Sequence, residues 1–212
     1  MIGTADSLAV QRGHVDMGAL SSRAPVLLSL SAPQARPWAG VYALAPSEPL
    51  DLADRARHDL YVLQGELIEQ ELTHPTGSFI SRGHAVTLRA GPAGSSLFMY
   101  RDELARTSGH ETWWPDELVW HAGTVPGMTV SPLSKTHHRL ALVRWQPGTR
   151  TPTHRHPRGE EIFVLGGELR DDEGAYPAGT WLRYAPGTGH APFAEQETLI
   201  LLRNGHLSPD LF

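Results

Sequence analysis

The chain repeats itself at an interval of 102 residues, and this repeat limits the folds that it can adopt. Three blocks match without a gap: 61–67 with 163–169, 77–80 with 179–182, and 97–101 with 199–203. Three matches at one interval indicate an internal duplication. The sequence therefore predicts two similar domains, residues 1–105 and 106–212, that join in the polar, turn-rich segment 103–109.

The segments between turns have the character of β-strands. Short apolar runs alternate with 21 glycines and 17 prolines, which is typical of an all-β sandwich or barrel. Around the second half, the strands predicted by this pattern are 140–145, 160–169, 180–184 and 198–203. In the first of these, alternation places Val143 and Trp145 inward and Arg144 outward. The predicted fold class is all-β.

Composition excludes several classes of function. The net charge of −5 provides no basic surface for nucleic acid, and the absence of cysteine excludes disulfides and thiolate metal sites. No window approaches the ~18 apolar residues of a membrane-spanning helix, and the N-terminus does not resemble a signal peptide. We therefore expect a cytoplasmic protein whose partners are neither nucleic acid nor membrane.

The segment Gly148–Gly167 carries the residues best suited to bind a metal ion. His154 and His156 lie two apart, so in an extended strand their imidazoles point to the same side. A turn at 157–159 separates them from Glu160, and His190 follows on a Gly/Pro-rich loop. Imidazoles with one carboxylate suit a first-row transition metal better than calcium or magnesium. The sequence predicts one mononuclear metal site built on strands.

Two glutamates compete for the carboxylate position. Glu160 and Glu161 face opposite ways on a strand, so only one can enter the barrel. The spacing of Glu160 to Gly167 favours Glu160, and Glu161 is the alternative. The adjacent His137 and His138 cannot chelate together from one strand. The histidines without a partner at ligand spacing are expected at the surface or in hydrogen bonds: 14, 74, 84, 110, 121 and 206. The acidic stretch 171–173 is expected to be a solvated hairpin turn.

The first half does not repeat the predicted ligand set. At the interval of 102, the equivalents of the four candidate ligands are Leu52, Asp54, His58 and Leu88. Two leucines cannot bind a metal ion, so the first domain is predicted to be a degenerate copy without metal ligands.

These residues resemble a known motif. Gly148, His154, His156, Glu160 and Gly167 fit the first cupin motif, G(x)5-HxH-(x)3,4-E-(x)6-G. Gly179, Pro186 and His190 match the second motif in kind, although its spacing differs by a residue and its asparagine position holds Ala194. The wider pattern over 125–205 is similar to the cupin domain of the ChrR anti-sigma factors.

The resemblance implies a fold of two tandem cupin domains, each a jelly-roll barrel. It implies His154, His156, Glu160 and His190 as ligands of one divalent transition metal: Zn, Fe, Mn or Ni. ChrR-like proteins hold their sigma factor with a separate N-terminal module that contains zinc-binding cysteines. This chain has no cysteine, so a sigma factor is not expected as its partner.

Two functions remain open at this stage. The first is a metal-dependent enzyme, such as a dioxygenase that acts on a small diketone-like or phenolic ketone substrate held in the second barrel. The second is a non-enzymatic ChrR-like regulatory cupin that binds zinc and a protein partner. Under either function, the formation of a homodimer by this chain also remains open. The sequence assigns no catalytic residue beyond the metal ligands.

Overall fold

A computed structural model describes residues 10–21, 26–32, 35, 37–53, 56–103, 109–134 and 139–207. In the first half of the chain its strands are β1 (Val10–His14), β2 (Val26–Ser29), β3 (Trp38–Leu44), β4 (Pro49–Leu52), β5 (Arg57–Glu69), β6 (Leu72–Pro75), β7 (Phe79–Arg82) and β8 (Val86–Asp102). The second half contains β9 (His110–Trp113), β10 (His121–Ala122), β11 (Met128–Pro132), β12 (Arg139–Trp145), β13 (His154–Arg155), β14 (Glu160–Gly166), β15 (Glu168–Asp171), β16 (Gly174–Pro177), β17 (Thr180–Tyr184), β18 (Gly189–His190) and β19 (Thr198–Asn204).

The all-β prediction is confirmed. Within the described residues, helix is limited to two single 3-10 turns, Ala19–Ser21 and Pro115–Glu117. None of the described helical segments is long or apolar enough to cross a membrane. The predicted strands of the second half are present as β12, β14, β17 and β19. The predicted run 160–169 is divided, because Gly167 adopts φ +73° between β14 and β15.

The chain divides into two compact units, residues 1–14 with 119–212 and residues 15–118. Their bounds differ from those of the predicted halves because two edge strands, β1 and β9, each pair with a strand from the opposite half of the sequence. Strand β1 pairs with β17, and β9 pairs with β7. These pairings join residues far apart in the chain, and no local pattern encodes them. The predicted join at 103–109 lies largely outside the described residues.

The unit that contains 119–212 is built on a seven-stranded antiparallel sheet. Its order is β1-β17-β14-β19-β12-β11-β10, and two short pairs, β13-β18 and β15-β16, accompany it. One face of this sheet carries the core cluster, which includes Val143, Trp145, Ile162 and Ile200. As predicted by alternation, Val143 and Trp145 are buried and Arg144 is exposed.

The unit of residues 15–118 has a sheet of order β2-β3-β8-β5-β7-β9, with β4 on β8 and β6 on β5. Leu52 and Leu88, the equivalents of His154 and His190, are buried in its apolar core. His58 is buried as well, and Asp54 lies outside the described residues. The interior that would hold a metal site in this unit is therefore filled by apolar side chains.

Equivalent strands of the two units share part of their register. Tyr61 pairs with Phe79 as Phe163 pairs with Trp181, and both pairs are separated by the interval of 102 residues. Trp38 pairs with Arg101 as Leu140 pairs with Arg203. The sequence repeat therefore corresponds to a repeat of strand pairing.

One histidine expected at the surface or in a hydrogen bond lies in the core of its unit. His74 is fully buried, and its ring stacks on Trp114 at 5.5 Å between centroids. Its Nε2 lies 3.5 Å from Oε2 of Glu69, which is an ion-pair distance only when the imidazole is protonated. Burial is the largest influence on the pKa of His74 and lowers it, so the ring is held neutral.

Candidate metal centre

A short antiparallel pair brings two of the predicted ligands together. In the β13-β18 pair, His154 lies directly opposite His190. The two strands approach closely because Gly189 has no side chain; a Cβ there would lie 2.8 Å from the carbonyl oxygen of His154. This approach places the two imidazole rings 4.9 Å apart between centroids.

A tight turn positions the other two predicted ligands, His156 and Glu160. The backbone N–H of Gly159 donates to the carbonyl of His156, and Gly159 has φ +65°, a conformation that favours glycine. The chain then enters β14 at Glu160, on the inner face of the sheet. The structure thus brings all four predicted residues, His154, His156, Glu160 and His190, to one place.

The nitrogen and oxygen atoms of these residues converge. His156 Nε2 lies 3.1 Å from His190 Nε2, and His190 Nε2 lies 3.2 Å from Glu160 Oε1. Oε2 of Glu160 lies 3.3 Å from Nδ1 of His156. The ligand atoms of the three histidines lie within 4.8 Å of one another; among the described residues, no other group of three or more His, Asp or Glu meets this criterion.

These contacts test whether a cation fits. Neutral imidazoles that carry hydrogen on Nδ1 present lone pairs from Nε2, so two lone pairs and a carboxylate oxygen face one another and repel. A shared metal ion turns this repulsion into attraction. Two nitrogens 3.1 Å apart can both bind one ion at the usual distance of about 2.0–2.1 Å. The donor set therefore fits a transition metal.

The protonation states suit this role. Burial is the largest influence on the pKa of His156 and lowers it; Glu160 opposes this effect, and His190 and His154 add to it. The neutral imidazole is the form that binds a metal ion. Nδ1 of His154 lies 2.9 Å from the carbonyl oxygen of Pro152, so Nδ1 carries the hydrogen and Nε2 remains available as a ligand.

Glu161 faces away from this centre. Its carboxylate is fully buried and accepts from Arg183 Nε at 2.9 Å and Nη2 at 2.7 Å. Its other oxygen lies 2.5 Å from His206 Nε2. Burial raises the pKa of Glu161, but Arg183 and His206 outweigh it and lower the pKa to about 2. Of the two glutamates, Glu160 contacts the histidines and Glu161 forms an ionic cluster on the opposite face.

A hydrogen-bonded group of aromatic residues lies behind His190. The ring of Tyr184 is 4.4 Å from the ring of His190, and its hydroxyl donates to Asp171 at 3.1 Å. Tyr176 donates to the same carboxylate at 2.7 Å. Residues 171–174 form the predicted hairpin turn, but the expected solvation of Asp171 is wrong. Its side chain is buried because two tyrosine hydroxyls and two backbone N–H groups bind it.

The four residues line a cavity of about 520 Å³. Most of its wall is apolar: Val125, Met128, Val130, Ala141, Val143, Trp145, Ile162, Ile200 and Leu202. Ile162 shares the inner face with Glu160, as alternation predicts. The size falls within the range of small-molecule sites, about 300–1,000 Å³. The cavity can therefore hold a small apolar molecule beside the candidate metal ligands.

Sequence reasoning missed part of this site. Asn204, Thr151 and Thr124 also line the cavity, and Asn204 Nδ2 lies 3.3 Å from His156 Nδ1. Asn204 ends β19 and pairs with Glu160 across the sheet. Alternation along β19 places Asn204 on the face of Leu202 and Ile200, and this was the available signal. His137 and His138 lie outside the described residues.

The region that holds this centre matches a family of known proteins. Residues 109–208 match the model of the ChrR cupin-like domain. The match covers the four candidate ligands and agrees with the resemblance seen in the sequence. No curated protein matches the chain.

Solved structures with the same architecture cover most of the chain. A cupin 2 conserved barrel domain protein from Leptotrichia buccalis has a TM-score of 0.63 at 14% identity and covers 96% of this chain and 99% of its own. A salicylate 1,2-dioxygenase from Pseudaminobacter salicylatoxidans has a TM-score of 0.69 at 12% identity, and the match covers 97% of this chain and 88% of that one. A quercetin 2,3-dioxygenase from Acinetobacter baumannii has a TM-score of 0.61 at 12% identity, and the match covers 93% of this chain and 77% of that one. At such identities the likeness establishes the fold, an all-β cupin fold.

Proposed function

We propose that the protein is a metal-dependent dioxygenase that acts on a small diketone-like or phenolic ketone substrate. The observation that carries this proposal is the apolar cavity of about 520 Å³ with three histidines and Glu160 in its wall. A closed structural metal site has no need of such a cavity, whereas a catalytic site leaves room for substrate. Two structural relatives are named as dioxygenases, so this fold is one on which that class of enzyme occurs.

His154, His156, Glu160 and His190 are the proposed ligands of one divalent transition metal: Zn, Fe, Mn or Ni. A redox-active ion of this group supplies the oxygen chemistry of a dioxygenase when it is bound. Reaction of a 1,3-diketone with O2 breaks one carbon–carbon bond, and both atoms of O2 enter the two products.

The residues of the cavity have separate roles. Val143, Ile162 and Ile200 exclude water and bind the apolar part of the substrate. The enol or phenol group of the substrate carries a weakly acidic proton. Glu160 lies beside the histidines, where the carboxylate oxygen that does not bind the metal can accept this proton and hold it during the reaction.

Oxygen uptake with defined substrates tests the proposal. Metal-free protein is loaded separately with iron, manganese, nickel and zinc and offered 2,4-pentanedione, 1-phenyl-1,3-butanedione and the phenolic ketone 2′-hydroxyacetophenone. We expect uptake with a redox-active metal and label from 18O2 in both products. His154→Ala should abolish turnover, whereas His121→Ala, an exposed histidine of the same unit, should leave it unchanged. No turnover with any metal contradicts the proposal.

The family match favours a second candidate, a regulatory cupin that binds zinc and a protein partner. The two candidates differ in the metal bound after purification and in turnover. One tightly held zinc per chain, with no oxygen uptake after loading with iron, manganese or nickel, favours the regulatory role. Iron or manganese in the purified protein, together with uptake, favours the enzyme.

We further propose that the chain is a tandem pair of cupin domains that arose by duplication, and that the first domain is silent. The buried Leu52 and Leu88, in place of His154 and His190, support this proposal, as does the shared register of equivalent strands. Metal analysis should find one ion per chain in the wild type and none in the His154→Ala/His190→Ala variant. Two ions per chain would contradict a silent first domain.

A further inference from the structure

Asn204 approaches the metal centre from a strand that the predicted ligands do not use. It lies at the end of β19, opposite Glu160 in the β14-β19 pair, and both side chains lie beside His156. We infer that Asn204 is a positioning residue for His156, and that its amide oxygen accepts the hydrogen on Nδ1. This inference rests on the metal centre proposed above.

The geometry of His156 requires an acceptor at Nδ1. Its Nε2 lies 3.1 Å from Nε2 of His190, so Nε2 is the atom that faces the centre. An imidazole that binds through Nε2 carries its hydrogen on Nδ1, and this hydrogen needs a partner in a buried site. Two groups are in reach, Oε2 of Glu160 and the amide of Asn204, each at 3.3 Å.

The amide is the group that suits this task. The oxygen and nitrogen of an asparagine amide are assigned from their hydrogen bonds, and a donor nitrogen cannot face a donor Nδ1–H. Rotation of the amide by half a turn places Oδ1 at Nδ1 and forms a hydrogen bond between neutral groups. Glu160 is then released from His156. Both of its oxygens become available to the metal ion or to a substrate proton.

The three histidines differ in the hydrogen-bond partner of their Nδ1 atoms. The partner of Nδ1 in His154 is the carbonyl oxygen of Pro152. Nδ1 of His190 is buried, and within the described part of the chain it has no hydrogen-bond partner. His156 is therefore the ligand whose orientation depends on a side-chain amide, and a substitution can remove that amide without touching a ligand.

Zinc affinity and the tautomer of His156 test the inference without any measurement of activity. Asn204→Leu retains the branched shape of the side chain and removes the hydrogen bond, and Asn204→Asp restores an acceptor. Thr124→Val is the matched control, because it removes a polar group of the cavity wall, a hydroxyl that contacts Met128 and, among the described residues, no histidine. Affinity is measured by competition with a chromophoric chelator, and the tautomer by 15N NMR of the histidine rings in zinc-loaded protein.

We expect Asn204→Leu to weaken zinc binding by about 10–100-fold, the usual effect of losing a group that orients a ligand. Asn204→Asp should recover affinity to within about threefold, and Thr124→Val should match the wild type. In the wild type, His156 should bind through Nε2 with a slowly exchanging Nδ1–H, and Asn204→Leu should speed this exchange. If leucine disturbs folding, Asn204→Ala removes the amide without adding apolar volume.

Wild-type affinity and exchange in both Asn204→Leu and Asn204→Ala would overturn the inference and leave the metal centre standing. A wild-type protein that binds no zinc, iron, manganese or nickel would overturn the metal centre, and the role of Asn204 with it. The two failures are therefore distinguished by the wild-type measurement alone.

Discussion

Val10 pairs with Tyr184 at the edge of the seven-stranded sheet, and the ring of Tyr184 lies 4.4 Å from the ring of His190. A strand from the beginning of the chain therefore supports a candidate ligand 180 positions later in the sequence. Val10 also packs against the core cluster that contains Tyr184. Since residues 109–208 match the family model without this strand, the matched region alone lacks one edge of its sheet.

Deletion of residues 1–14 should destabilise the unit that holds the candidate metal centre and weaken the metal binding proposed there. The β1-β17 pair spans five residues. At about 0.5–1.5 kcal/mol net for each hydrogen bond, its loss should cost at least about 2 kcal/mol of unfolding free energy. Urea denaturation and zinc competition measure the two effects. Arg12→Ala is the control, because it removes an exposed ion pair to Glu173 and a cation–π contact with Tyr176 but leaves the β1-β17 pairing in place, and it should cost less than the deletion.

Substitution of Glu161 should lower the stability of the fold, whereas substitution of Glu160 should lower the affinity for metal. Glu161→Gln leaves Arg183 and His206 without their carboxylate in a buried cluster, which should destabilise the fold by about 3–5 kcal/mol. Glu160→Gln should change the unfolding free energy by less than about 1 kcal/mol and weaken metal binding at least about tenfold. Denaturation and chelator competition on both variants give the comparison. Equal metal affinities in the two variants would contradict Glu160 as a ligand.

The local parts of the site were predictable from sequence because strand alternation and turn chemistry act over a few residues. The spacing of His154 and His156 predicts a shared face, and alternation separates Glu160 from Glu161. Both features depend on neighbouring backbone alone. The structure brings His190 to the same place through a pairing of only two residues, which its Gly/Pro loop permits.

The remaining parts depend on pairing between distant segments. Asn204 reaches His156 only because β19 aligns with β14 in one register. The burial of Asp171 follows from two tyrosines on other strands, and the position of β1 follows from β17. Such registers result from the packing of the whole core, so alternation could place Asn204 on the inner face of its strand but could not bring it to His156.

Acid should destabilise the unit of residues 15–118 through His74. Its pKa is lowered in the folded state by burial first and by Arg82 second, while Glu69 acts in the opposite direction. The unfolded state therefore binds more protons once the pH falls below about 6.5. The unfolding free energy should be full above that pH and should decline as the pH falls through the lowered pKa of the folded state.

Denaturation of His74→Phe at pH 7 and pH 5, followed by tryptophan fluorescence, measures this contribution. Phenylalanine retains the aromatic contact with Trp114 and cannot be protonated. We expect a smaller loss of stability between the two pH values than in the wild type. His84→Ala, at an exposed position, should behave as the wild type does. If His74→Phe lost as much stability between the two pH values as the wild type, the acid response would arise from other groups.

Ala141 should determine the largest substrate that the cavity accepts. It is the smallest apolar side chain of the cavity wall among the described residues, and its neighbours on the same face of β12 and β19 are Val143 and Leu202. Ala141→Phe should fill part of the cavity and leave the metal ligands in place. We expect kcat/KM for 1-phenyl-1,3-butanedione to fall at least about tenfold relative to 2,4-pentanedione, with zinc affinity unchanged. Ala175→Phe, at an exposed position of β16, is the control and should alter neither value. Equal losses for both diketones would contradict a role of Ala141 in selecting substrates by size.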